Sequence, residues 1–180
     1  PFPGWTLPGV MPAGAAQILM KTAGMLPQNA VLAGSGPLLY LVAAQMIDAG
    51  CAPQALVETQ TTRGLLGAMR HLPRAMFGAA TLLKGLGLIA KIRRAGVPRY
   101  TAASDFRATA ERSGDIRFSF RAAGEAQSLT CGLLLTHQGV VPGTHITRAA
   151  GISHSWNKDQ GAYQPECDRW GATNQPGLHT

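Results

Sequence analysis

A short apolar run that stops on two glycines and resumes as a helix is compatible with few folds. Residues 31–58 read VLAGSGPLLYLVAAQMIDAGCAPQALVE. Val31, Leu32 and Ala33 form a strand, Gly34-Ser35-Gly36 a tight turn, and Leu38 to Ala49 a helical run. After Gly50 a second apolar run ends on Glu58. Strand, glycine turn, helix, strand and terminal acid in that order make half of a dinucleotide-binding unit. Gly34 lets the chain turn at the strand end, and Gly36, without a Cβ, lets a pyrophosphate reach backbone amides where the helix dipole favours negative charge. Pro37 suits the first helical turn, where a missing N–H costs nothing. The third glycine of G-x-G-x-x-G is replaced by Leu39, which is expected to push the helix outward.

Glu58 lies about 20–25 residues beyond the glycines, where an acid accepts from a ribose hydroxyl and repels a 2′-phosphate. The alternative is a solvated strand-end acid, and nearby Arg63 offers a phosphate contact instead. Both readings stay open at this point.

With 180 residues and 46% hydrophobic content, the chain can bury one core and part of a second layer. No apolar window reaches about 18 residues, so no transmembrane span is expected. PFPGWTLPGV lacks the basic and apolar regions of a signal peptide. Cys51, Cys131 and Cys167 are scattered and odd in number, which fits buried thiols in a reducing compartment and hence a cytoplasmic location. The net charge of +7 is spread over helical and strand faces without interleaved aromatics, so no nucleic-acid partner is expected. No cysteine or histidine spacing matches a metal site.

Residues 1–12, rich in Pro and Gly, read as a loop, and Ala13 to Met25 as a short helix. Thr62 to Ala95 reads as a long helical stretch broken at His71-Leu72-Pro73. Within it Leu82, Leu83, Leu86, Ile89, Ala90 and Ile92 form a broad buried stripe. Val97 to Ala102 reads as a third strand of the unit. From Ser104 to Leu129 apolar and polar residues alternate between turn signals at 113–115 and 123–125, as in an antiparallel meander. CGLLLT (131–136) is a continuous apolar run, a buried parallel strand leaving the sheet at its carboxyl edge through His137-Gln138-Gly139-Val140. Thr147 to Gly151 reads as a helical turn, and the remainder as loop with one short strand near Tyr163.

The stretches FPGWTLPGV with AGAAQ, VLAGSGPLL, LLLTHQGVVP and WG…PG resemble the FAD-dependent pyridine nucleotide-disulfide oxidoreductases. That superfamily has a glutathione-reductase-like fold with two dinucleotide-binding domains. More narrowly, they resemble the flavoprotein subunits of opine oxidase, hydrogen cyanide synthase and hydroxyproline/proline dehydrogenase. The resemblance implies an α/β chain with a Rossmann-like parallel sheet, flanking helices and a small antiparallel β-meander. It implies an internal fragment, with 1–26 leading in from a missing FAD domain, 27–145 as the NAD(P)-type domain, and 146–180 returning toward the FAD domain.

By the same resemblance the parent is a flavin-dependent oxidoreductase acting on amino- or imino-acid-like substrates, alongside other subunits of a hetero-oligomeric dehydrogenase or oxidase. FAD belongs to that parent, and the 180-residue piece is inactive alone and contributes no catalytic residue. NAD(H) or another adenine nucleotide would lie along Gly34, Ser35, Gly36, Pro37 and Leu38, with Glu58 and Arg63 at the adenosine end and Gly139 and Val140 across the cleft. The alternative is a non-catalytic interaction module whose site has decayed or holds ATP or ADP. Surface that the FAD domain would cover is able to drive homodimerisation of the piece.

Overall fold

The computed structural model describes residues 1–61, 79–140, 142–158 and 160–180. These fall into two compact units, Pro1–Gln138 and Gly139–Thr180.

The first unit is an α/β layer structure. β1 (Val10–Pro12), β2 (Ala30–Gly34), β3 (Ala55–Glu58), β4 (Arg99–Tyr100) and β8 (Leu133–His137) form one parallel sheet in the order β1-β8-β2-β3-β4. β2 and β3 are buried along their whole length, as strands covered on both faces must be. Alternation sends Ala30 and Leu32 to one face and Val31 and Ala33 to the other. The first face packs on α1 (Ala13–Ala23), α2 (Pro37–Asp48) and Ile92 of α3 (Ala79–Arg94). The second packs on a meander of β5 (Ser104–Ala110), β6 (Ile116–Ala122) and β7 (Glu125–Cys131). Its centre is a ring cluster in which Phe118 lies 5.2 Å from both Phe106 and Phe120. The sequence-based fold class is borne out, meander included.

Four local expectations are revised. Val10–Pro12 is a strand, because its backbone finds the open edge of β8. The apolar run 131–136 is two strands: Cys131 ends the antiparallel β7, Gly132 turns the chain, and β8 begins at Leu133. The third strand of the unit shrinks to Arg99–Tyr100, the outer edge. On α3, Leu83 and Leu86 are exposed while Ile92 is fully buried. That helix meets α2 at its C-terminal end, where Lys91 Nζ donates to Asp48 Oδ1 at 2.7 Å. Residues 62–78, with the His71 break, lie outside the described residues.

Leu39 has no exposed surface and sits within the α1–α2–sheet core. Its cluster also holds the small side chains of Ala13 and Ala16 of α1 and Ala43 of α2. The leucine is absorbed into the core where a third glycine would have brought helix and strand close.

The second unit holds α4 (His145–Ala149) and a hairpin of β9 (His154–Asn157) and β10 (Ala162–Pro165). Trp156 and Tyr163 pair across the hairpin at 5.1 Å, and Arg148 stacks over the Tyr163 ring. Asp168 holds the following loop by accepting from the amides of Trp170 and Ala172. These two bonds hold its carboxyl below the usual carboxylate range. Cys51 and Cys131 are buried and Cys167 is exposed.

Candidate functional site

The carboxyl ends of β2, β3 and β8 meet at the glycine turn. Gly34 lies beside β8: a Cβ there would come 1.8 Å from the His137 carbonyl oxygen. The same carbonyl accepts the Ser35 N–H at 2.7 Å. Gly34 therefore serves strand packing as much as turning. Gly36, the N-cap of α2 at φ 94°, faces the His137 ring. Pro37 occupies the first turn of the helix. The amides of Gly36 and Leu38 donate to no acceptor among the described residues. They stand at the positive end of α2.

Beside the turn lies a hollow of about 390 Å³ lined by Pro37, Tyr40, Gln60, Leu88 and Ile89. A second, of about 220 Å³, shares Tyr40, Gln60 and Ile89 and reaches Glu58 and Arg99. A third, of about 510 Å³, opens at the ends of β3 and β8 beside Thr59, Thr136 and Gln138, with Asp105 and Phe106 of the meander in its wall.

Glu58 is where the acid was expected, at the end of β3, yet it is only 4% exposed. Its Oε1 accepts from Arg99 Nε at 2.9 Å, and its Oε2 accepts from Arg99 Nη2 at 3.2 Å and from the Tyr40 hydroxyl at 2.6 Å. Arg99 also lies over the Tyr40 ring, 5.6 Å from its centre. Burial, then the hydrogen bond and charge of Glu58, push the Tyr40 hydroxyl up to about 12. Neither Tyr40 nor Arg99 is among the site residues expected from the sequence. Arg99 stands 41 residues beyond Glu58 and reaches it only because β4 pairs with β3 at Leu56↔Arg99.

The structure brings together Gly34, Ser35, Gly36, Pro37, Leu38 and Glu58 along one sheet edge. Arg63 lies outside the described residues. Gly139 and Val140 begin the second unit, with the Val140 side chain largely exposed. Among the described residues, no three His, Cys, Asp or Glu side chains come together as a metal would require. No helix there is long and apolar enough to cross a membrane.

This sheet with its glycine turn and meander has the fold of flavoprotein disulfide reductases of known structure. Bacillithiol disulfide reductase of Staphylococcus aureus superposes over 96% of this chain and 46% of its own, with a TM-score of 0.60 and 14% identity. The flavoprotein disulfide reductase RclA of Escherichia coli superposes over 98% of this chain and 34% of its own, with a TM-score of 0.61 and 20% identity. At such identities the likeness is one of fold.

By sequence the chain is a homologue of the A subunit of opine oxidase and of the HcnB subunit of hydrogen cyanide synthase. It is 40% identical over 181 residues to the former from Agrobacterium tumefaciens, covering 99% of this chain and 35% of that protein. It is 31% identical over 188 residues to HcnB of Pseudomonas aeruginosa, covering 99% of this chain and 39% of that protein. The chain thus spans somewhat over a third of these relatives. No family model matches it.

Proposed function

We propose that this chain is the nucleotide-binding domain of a larger flavin-dependent oxidoreductase that acts on amino- or imino-acid-like substrates, and that it holds an adenine dinucleotide at its sheet edge. The observation that carries the reading is the pair of amides at Gly36 and Leu38 that donate to no acceptor among the described residues, set at the N-terminus of α2 and opening onto the hollow at Pro37, Tyr40 and Gln60. An anion on the amides and a flat, mostly apolar group in the hollow are what an adenine nucleotide presents.

In this reading Gly34, Ser35, Gly36, Pro37 and Leu38 hold the pyrophosphate. The hollow takes the adenosine. The flavin of the parent supplies the redox chemistry, and this chain binds and orients. The partners are the other subunits of a hetero-oligomeric enzyme, a reading supported by the relatives being named as subunits themselves.

Isothermal titration of the chain with NADH, NADPH, ATP and ADP tests the reading, and heat from none of them refutes it. A second reading, an interaction module without nucleotide, is favoured by the engagement of Glu58 with Arg99 and Tyr40. It requires that deleting this domain from the full-length parent prevent the subunits from assembling.

A further inference from the structure

We propose that Arg99 cancels the strand-end acid, so that the adenosine end does not distinguish a ribose 2′-hydroxyl from a 2′-phosphate and binds NAD(H) and NADP(H) alike. The inference rests on reading the glycine turn as a nucleotide site and concerns the selectivity of that site.

An acid at this strand end selects the unphosphorylated ribose by two means. It accepts hydrogen bonds from the diol and it repels a phosphate. Both need a carboxylate that faces the ligand with its charge uncompensated. Glu58 has neither property. It is 4% exposed, and three donors from two side chains already engage both of its oxygens. The guanidinium engages it through two nitrogens, a fork-on-carboxylate geometry that fixes both groups. The pair sums to zero charge.

The arrangement is built into the backbone. β4 runs parallel to β3 with Arg99 opposite Leu56, which puts Arg99 on the face that carries Leu56 and Glu58. Tyr40, from the first turn of α2, closes the cluster from the helix side. Among the described residues, the hollow presents the outer part of Arg99, with about a third of its side chain exposed, the carboxamide of Gln60, and Thr61 and Thr101. A carboxamide both donates and accepts, so it serves a hydroxyl and a phosphate equally. For Glu58 to reach a ribose it would have to break its Arg99 and Tyr40 bonds together. A bound 2′-phosphate meets a guanidinium whose charge Glu58 already balances.

The experiment is isothermal titration of the chain and three variants with NADH and NADPH at pH 7.5. The unmodified chain should bind both with dissociation constants within about threefold of each other. E58Q, close in shape and uncharged, leaves the Arg99 guanidinium unpaired and should shift that ratio toward NADPH. R99M uncovers the carboxylate and should weaken NADPH relative to NADH by roughly tenfold or more. Y40F keeps the ion pair and should leave the ratio alone, and circular dichroism of R99M shows whether that variant is folded. A preference for NADH above about tenfold that E58Q abolishes overturns the proposal while leaving the nucleotide reading intact. Binding of neither dinucleotide to the unmodified chain refutes the underlying reading itself.

Discussion

The two motif glycines have separable jobs, and substituting each by alanine should separate them. At Gly34 (φ 131°) an added methyl would stand 1.8 Å from the carbonyl oxygen and 2.7 Å from the carbonyl carbon of His137. Both are backbone atoms of β8, so no side-chain rotation relieves the clash. The end of β8 has to withdraw, and the 2.7 Å bond from Ser35 N–H to that carbonyl goes with it. At Gly36 (φ 94°) the methyl would sit 3.6 Å from the His137 ring, an ordinary contact. Each site carries positive-φ strain of about 1–3 kcal/mol once a Cβ is present. Only G34A adds overpacking of about 1–3 kcal/mol and a lost hydrogen bond of about 1 kcal/mol.

G34A should therefore be less stable than G36A by about 2–4 kcal/mol. With a urea slope of about 2 kcal/mol/M that is a gap of roughly 1–2 M between unfolding midpoints, read by circular dichroism. In the complementary titration, G36A, which narrows access to the amides at the start of α2 while the sheet stands, should lose most nucleotide affinity. Coincident midpoints for the two variants would refute the close-approach account of Gly34.

Three further outcomes follow from single residues. L39G, which restores the third glycine of the motif, should cost roughly 3–5 kcal/mol in urea unfolding and gain no nucleotide affinity, because Leu39 is fully buried core. Alkali should erode stability between about pH 9 and pH 12. Burial pushes the Cys131 thiol to about 11, and Tyr40 stands at about 12. Each group holds its proton more tightly folded than unfolded, so its contribution is whole below the unfolded pKa and is lost as pH rises through the folded one. Y40F should flatten the upper part of a melting-temperature profile taken across that range. In the second unit, D168A should speed hydrogen exchange at the Trp170 and Ala172 amides, which the carboxylate accepts from. The wild-type protection there should fade in acid as pH falls through the lowered Asp168 pKa.

Local periodicity was enough for most of the fold. Alternation in Ile116, Phe118 and Phe120 marks one face of β6, and the structure buries those three side chains against the sheet. Where the reading slipped, the missing fact was a neighbour. Nothing in Val10-Met11-Pro12 announces a strand, because its ladder partner Leu134 lies 124 residues on. Leucines at helical spacing in α3 announce an apolar face, but whether it is covered depends on what is beside it. Leu83 and Leu86 are exposed, while Ile92, near the Lys91–Asp48 contact, is sealed.

The same distinction decides how far the site could be read. The position of Glu58 follows from counting residues past the glycines, and the structure puts it at the strand end as counted. Its chemistry does not follow from counting. A carboxylate selects a ribose through its unpaired charge, and the charge that cancels it arrives on another strand through a register set by sheet pairing. A glycine turn is a local object, since amides and dipole come with the helix that follows it. The acid is a non-local one, defined by what the next strand carries. Arg99 and Glu58 are therefore to be read as a unit, made by the register that sets Arg99 opposite Leu56, two residues before the strand-end acid.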